Sequence, residues 1–86
     1  VPKISEFFGI SIYLYYDDHD PPHFHARYAG VDAAFDIQTL ALVRGTVSPR
    51  VRGLVTEWAS EHQTELLSAW LQARRGEPLR PIDPLA

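Results

Sequence analysis

Three of the four histidines fall within seven residues, in Asp17-Asp-His-Asp-Pro-Pro-His-Phe-His-Ala-Arg-Tyr28. Side chains alternate along a strand, so His23 and His25 share one face and Arg27 follows them there. Imidazole exchanges protons near neutral pH, which makes two of them on one face suited to general acid–base chemistry. If residues 9–16 form the neighbouring strand, Tyr13 opposes His25 and Tyr15 opposes His23. If Ala29-Gly30 is a two-residue hairpin turn, Arg27 opposes Asp32 and His23 opposes Asp36. One face then gathers Tyr13, Tyr15, His23, His25, Arg27, Asp32 and Asp36. The other gathers Ile10, Ile12, Leu14, Phe24, Ala26, Ala33, Phe35 and Ile37. Two registers chosen independently agree on which face is apolar.

Three readings of the polar face compete. In the first, the chain cleaves RNA without metal or other cofactor. His23 and His25 move protons, Asp36 orients one of them, Arg27 steadies a phosphate oxyanion, and Tyr13 or Tyr15 positions substrate. In the second, the His-x-His pair binds a transition metal with His19 as a further ligand, although no second motif completes a tetrahedron. In the third, the face is a hydrogen-bonded surface, and His19 with the neighbouring acids forms a solvated turn.

Arg44, Arg50 and Arg52 form a run without an intervening acid and are candidate substrate-binding residues, because guanidinium suits bidentate phosphate contacts. Arg50 and Arg52 also sit where a helix should start, an unfavourable place for a cation and therefore a pointer to a ligand or partner. His62, mid-stripe on that helix, reads as a core histidine, and Trp58 and Trp70 as packing anchors. No phosphate-cradling glycine loop, nucleophile elbow or zinc-protease signature is present.

The elements that must position these groups follow from periodicity. Residues 9–16, 23–28, 32–37 and 40–47 read as strands, the last interrupted by Gly45, with residues 17–22 as a break. Ser48 followed by Pro49 is a helix start, and Gly76 a natural stop after Arg74 and Arg75. Pro78, Pro81 and Pro84 impose an extended tail. The expected fold is a single α+β domain: a four-stranded antiparallel meander (1–47), one long helix on its apolar face (48–76) and a Pro-rich tail (77–86).

That helix raises a difficulty. From 49 to 75 it would be about 40 Å long, whereas a domain this size has a radius of gyration near about 12 Å. Its apolar stripe also drifts, with Leu67 and Leu71 roughly 160° to 200° from Val51. Either the helix bends around the sheet or its second half meets a partner.

Eighty-six residues make one domain with a modest core. The absence of cysteine excludes disulfides, thiolate metal sites and a cysteine nucleophile. No apolar run approaches a membrane span and no basic-then-apolar leader opens the chain, which together suggest a cytoplasmic protein. The net charge of −3 argues against broad nucleic-acid coating. It is an average, however: residues 1–40 hold two basic and six acidic residues, and residues 41–86 hold six arginines and five acids.

The chain resembles the small bacterial family known as domain of unknown function 4160. The resemblance rests on Pro2-Lys-Ile-Ser-Glu-Phe-Phe-Gly9, Tyr15-Tyr-Asp-Asp-His19, Pro21-Pro-His-Phe-His-Ala-Arg-Tyr28, Glu57-Trp58, Glu65-Leu66 and Trp70. It implies one half of a bacterial toxin–antitoxin pair, with a small cognate partner of the domain of unknown function 2442 type and toxicity towards RNA or translation. A non-catalytic module that only binds its partner, through the late helix and tail, is the alternative, and a homodimer is compatible with either. Members usually begin Met-Pro where this chain has Val1-Pro2, which suggests a GUG start codon written as Val or a trimmed terminus.

Overall fold

Five strands form the sheet where four were expected, and two helices stand where one was expected. The computed structural model describes residues 2–16 and 18–86. It contains β1 (Lys3–Phe7), β2 (Ile10–Tyr13), β3 (His23–Tyr28), β4 (Val31–Asp36) and β5 (Leu42–Arg44), then α1 (Pro49–Glu61) and α2 (Gln63–Arg74). The sheet is antiparallel throughout, in the order β1-β2-β3-β4-β5. Two positions of the sequence reading, Asp17 in the expected break and Val1 at the start, lie outside the described residues.

β1 escaped the sequence reading for a physical reason. Its register shifts between Lys3 and Ser5, so Ile4 and Ser5 are both buried and the alternation is lost. Three of the four expected inner pairings hold, with Tyr13 opposite His25, Arg27 opposite Asp32 and His23 opposite Asp36, whereas the expected strand over 9–16 ends at Tyr13 and Tyr15 does not pair with His23. The Ala29-Gly30 turn sets the β3–β4 pairings, as Phe8-Gly9 sets those of β1–β2. Phe8-Gly9 and Ala29-Gly30 each place two successive residues at positive φ, the backbone a two-residue hairpin demands. The expected fourth strand over 40–47 shrinks to Leu42–Arg44, because Gly45 turns away at φ +82°.

The expected apolar face is buried as a set, from Ile10 through Ile37. Phe24 and Phe35 stack at 5.5 Å, and the Trp58 ring meets Phe24 at 5.9 Å and Phe7 at 5.3 Å. Burying an aromatic side chain of this size contributes about 2–3 kcal/mol, so α1 is held chiefly by Trp58 with Val51, Val55 and Ala59.

The single long helix is corrected to a bent pair. At His62 the backbone leaves helical geometry (φ −130°, ψ 23°), and the His62 Nδ1 sits 2.6 Å from Glu65 Oε1. The bend answers the drift of the stripe, since α2 restarts with Leu66, Ala69, Trp70 and Ala73 facing inward. Gln63 Nε2 donates to the carbonyls of Ile37 (3.0 Å) and Gln38 (3.2 Å), pinning the bend to the end of β4. The domain consequently measures 33 × 25 × 23 Å with a radius of gyration of 11.6 Å. Residues 77–86 hold no helix or strand and return to the core instead of trailing: Ile82 is buried, and the Trp58 indole N–H donates to the Asp83 carbonyl at 2.8 Å.

Candidate metal centre

The polar face of β3 carries His23 at its entry and His25 one step in. The loop before it folds back so that Asp18, five residues ahead of His23, reaches both rings. Asp18 Oδ2 lies 3.0 Å from His25 Nε2 and 3.1 Å from His23 Nε2. All three side chains are largely removed from solvent. One donor atom from each lies within 4.8 Å of the others.

Protonation decides what this cluster can be. His23 Nδ1 is 2.8 Å from the Pro21 carbonyl, which can only accept, so Nδ1 carries the proton. In the neutral ring Nε2 is then a lone pair, buried, and turned towards a carboxylate oxygen 3.1 Å away. That is two acceptors facing one another. A proton on Nε2 would turn the contact into an ion pair, but one without a well-aligned hydrogen bond, since the buried atom meets no hydrogen-bond partner. Three donor atoms gathered within 4.8 Å of one another are an arrangement that ligands to a shared cation adopt. Zinc-type bonds of about 2.0–2.2 Å give ligand–ligand separations of roughly 2.8–3.6 Å for bond angles between a right angle and a tetrahedron. The 3.0 and 3.1 Å contacts fall in that interval. Two imidazoles and one carboxylate, with other positions open, form a donor set used for Zn²⁺ and Fe²⁺.

The surroundings hold the ligands still. The Pro21 carbonyl sets the tautomer of His23, the outer partner a metal-binding imidazole ordinarily has. The Trp70 ring from α2 packs on His23 at 5.2 Å, and Tyr15 meets His25 edge-on at 4.4 Å. Arg74 at the end of α2 reaches Asp20 Oδ1 at 3.0 Å, fastening the ligand-bearing loop to the helix. The bend at His62 is what brings Trp70 and Arg74 to this end of the sheet.

The other sequence candidates separate into four groups. Tyr13, Tyr15 and Arg44 are near the cluster. Tyr13 is paired with His25, and Arg44 stands opposite Ala34, which in turn opposes His25. His19 is exposed and lines a hollow of about 280 Å³ with Asp20, His23 and Arg44, but is not one of the three converging donors. Arg27 and Asp36 are occupied elsewhere. Arg27 Nε is 3.5 Å from Asp32, and Asp36 Oδ1 accepts from the backbone N–H groups of Gln38 (2.7 Å) and Thr39 (2.9 Å). Arg50 and Arg52 are exposed on the first turn of α1, whose Ser48 and Val51 line a hollow with Ala29 at the opposite end of the sheet. Lys3, opposite Tyr13, is hydrogen-bonded to Glu6, whose carboxylate raises the pKa of the ammonium above its ordinary value.

Asp18 is the functional candidate that sequence reasoning missed. It lay among acids read as a solvated turn, and only the path of the loop through Pro21-Pro22 brings it back over the histidines.

A family model described as Domain of unknown function (DUF4160) matches residues 9–71, nearly three quarters of the 86-residue chain. The chain belongs to this family. The DUF4160 match runs from the turn before β2 into α2 and contains Asp18, His23, His25, Arg44 and Trp70. No curated protein and no solved structure matches the chain.

Proposed function

We propose that this DUF4160 domain binds one divalent first-row transition-metal ion through Asp18, His23 and His25, and that the bound ion serves a hydrolytic reaction. The observation that carries the reading is the buried His23 Nε2, without a hydrogen-bond partner and 3.1 Å from the part-buried Asp18 Oδ2, with His25 Nε2 on the same oxygen. A cation satisfies all three at once. An ion so held polarises a substrate oxygen as a Lewis acid. The chain's own residues then have defined tasks. Pro21 and Trp70 fix His23, Asp18 offsets one positive charge, and Tyr15 orients His25. RNA as substrate, a role within a toxin–antitoxin pair and a partner of the domain of unknown function 2442 type belong to the proposal through the family resemblance, and a cytoplasmic location through the sequence reading.

The metal-free reading keeps one supporting observation. The His25–Asp18 hydrogen bond at 3.0 Å is the base-and-orienter arrangement of acid–base catalysis, with Asp18 in the part expected of Asp36. One experiment separates the two. Tag-free protein is purified, its metal content measured, and Co²⁺ titrated while visible absorption is recorded. The metal reading expects one ion per chain and a low-coordinate cobalt spectrum that Asp18→Asn and His25→Ala abolish. Metal-free protein whose RNA cleavage resists a chelator and is lost in His25→Ala would establish the acid–base alternative. Binding that is indifferent to both substitutions would dismiss the centre.

A further inference from the structure

A row of residues crosses the polar face at the level of the histidines: Tyr13 on β2, His25 on β3, Ala34 on β4 and Arg44 on β5. Three features single out its last two members. Ala34 is a methyl group between two long side chains, and a notch of about 80 Å³ opens there, lined by His25, Ala34 and Arg44. Arg44 also walls the larger hollow of about 280 Å³ that reaches His23 and His19. Arg44 thus borders two openings, one onto each histidine of the centre.

The backbone is built to put Arg44 there. The register shifts by one residue between Ala34 and Phe35, where Leu42 and Arg44 of β5 face consecutive residues of β4 and Val43 is the bulged residue. Bulges of this kind re-aim the side chain that follows. Gly45 completes the device at φ +82°, where an added Cβ would lie 2.6 Å from the Asp32 carbonyl oxygen. Among the described residues Arg44 has no ion pair. The two carboxylates that border the openings are engaged elsewhere, Asp32 with Arg27 and Asp20 with Arg74.

We infer that Arg44 and the notch over Ala34 form an oxyanion subsite of the Asp18/His23/His25 centre, which takes a phosphoryl group of the substrate. This rests on the metal reading and adds the subsite that would hold the substrate's phosphoryl group. A divalent ion with one carboxylate ligand keeps one positive charge, and Arg44 adds a second, so an anionic ligand is favoured. The guanidinium fork matches phosphate oxygens in pairs. The small notch admits one tetrahedral group, and the adjoining hollow admits the remainder of a phosphodiester.

The test is calorimetric titration of inorganic phosphate into the zinc-loaded chain, with acetate as the planar comparison. Arg44→Gln and Ala34→Val should each weaken phosphate binding about tenfold or more, while metal content stays at one ion per chain and acetate binds more weakly than phosphate. Arg50→Gln, at the far end of the sheet, should change nothing. Phosphate affinity that is unaltered in Arg44→Gln, or reduced equally in Arg50→Gln, overturns the subsite and leaves the metal centre standing. Stronger binding of acetate than phosphate overturns the phosphoryl assignment. A chain that takes up no metal yet binds phosphate through Arg44 refutes the metal reading and keeps the anion subsite.

Discussion

The two ends of the sheet invert each other's chemistry. At one end, polar groups are buried: His23 is 6% exposed, its ring pressed by Trp70, and its loop fastened by the Arg74–Asp20 ion pair. At the other, apolar groups are bare: Phe8 is 54% exposed and Val31 52%, beside a hollow of about 310 Å³ lined by Tyr28, Val47 and Val51. Burying a polar group costs free energy unless it has a partner, so the first end is costly for the fold and marks a site with chemistry to do. Leaving large apolar side chains in water at hairpin turns is a different expense, the kind an interaction surface carries. Size of cavity does not separate the two ends, since the hollow that reaches His23 measures about 280 Å³.

Substitutions can sharpen this contrast. The largest effect is expected from Trp70→Ala, which removes the clamp on His23 and leaves a cavity under α2. It should cost about 3–5 kcal/mol in urea-induced unfolding. A loss below about 1 kcal/mol would mean that α2 does not hold the site. Next comes Asp18→Ala, which should weaken zinc binding by about 100-fold or more, beyond the usual cost of losing an outer partner. The metal-free protein should meanwhile unfold at a nearly unchanged urea concentration.

Acidification should act at the same end. Protons compete with metal for the imidazole nitrogens, so zinc occupancy should fall as pH is lowered from about 7.5 to about 5.5. Equilibrium dialysis at a series of pH values would show it, and occupancy that rises on acidification would refute histidine ligation. At the apolar end the effects shrink. Ser48→Ala removes the hydroxyl that accepts from the Val51 N–H at 3.2 Å and should cost about 1 kcal/mol, with zinc binding untouched. Smallest is Ala29→Gly. It relieves a positive φ of 52° and should raise the thermal midpoint slightly, worth at most about 1 kcal/mol.

What the sequence disclosed and what it hid divide along the same physical line. Registers of β2, β3 and β4 were legible, because strict alternation and Gly-containing turns are local signals. β1 was hidden by its bulge, and the interruption at His62 left no proline or glycine to mark it. His23 and His25 were legible as a pair because two-residue spacing needs only a strand. Their carboxylate was not. Asp36 opposes His23 in register as expected, but its oxygen serves the backbone of its own turn. Asp18 reaches the histidines through a loop that no periodicity describes. Arg44 was selected from a run of arginines for its type, and the bulge at Val43 explains its placement better than the run does.

The return of the chain onto β1 has a consequence for how the molecule meets its neighbours. The Ile82 N–H donates to the Ile4 carbonyl at 2.7 Å, so the outer margin of the first strand is already engaged by its own polypeptide. The opposite margin, β5, is three residues long, kinked by a bulge and ended by Gly45. Unpaired margins of sheets invite other chains to add strands, and short, bulged or covered ones discourage it. With one border occupied and the other blunted, this sheet resists growing sideways into fibrils, and a companion protein would meet it through side chains.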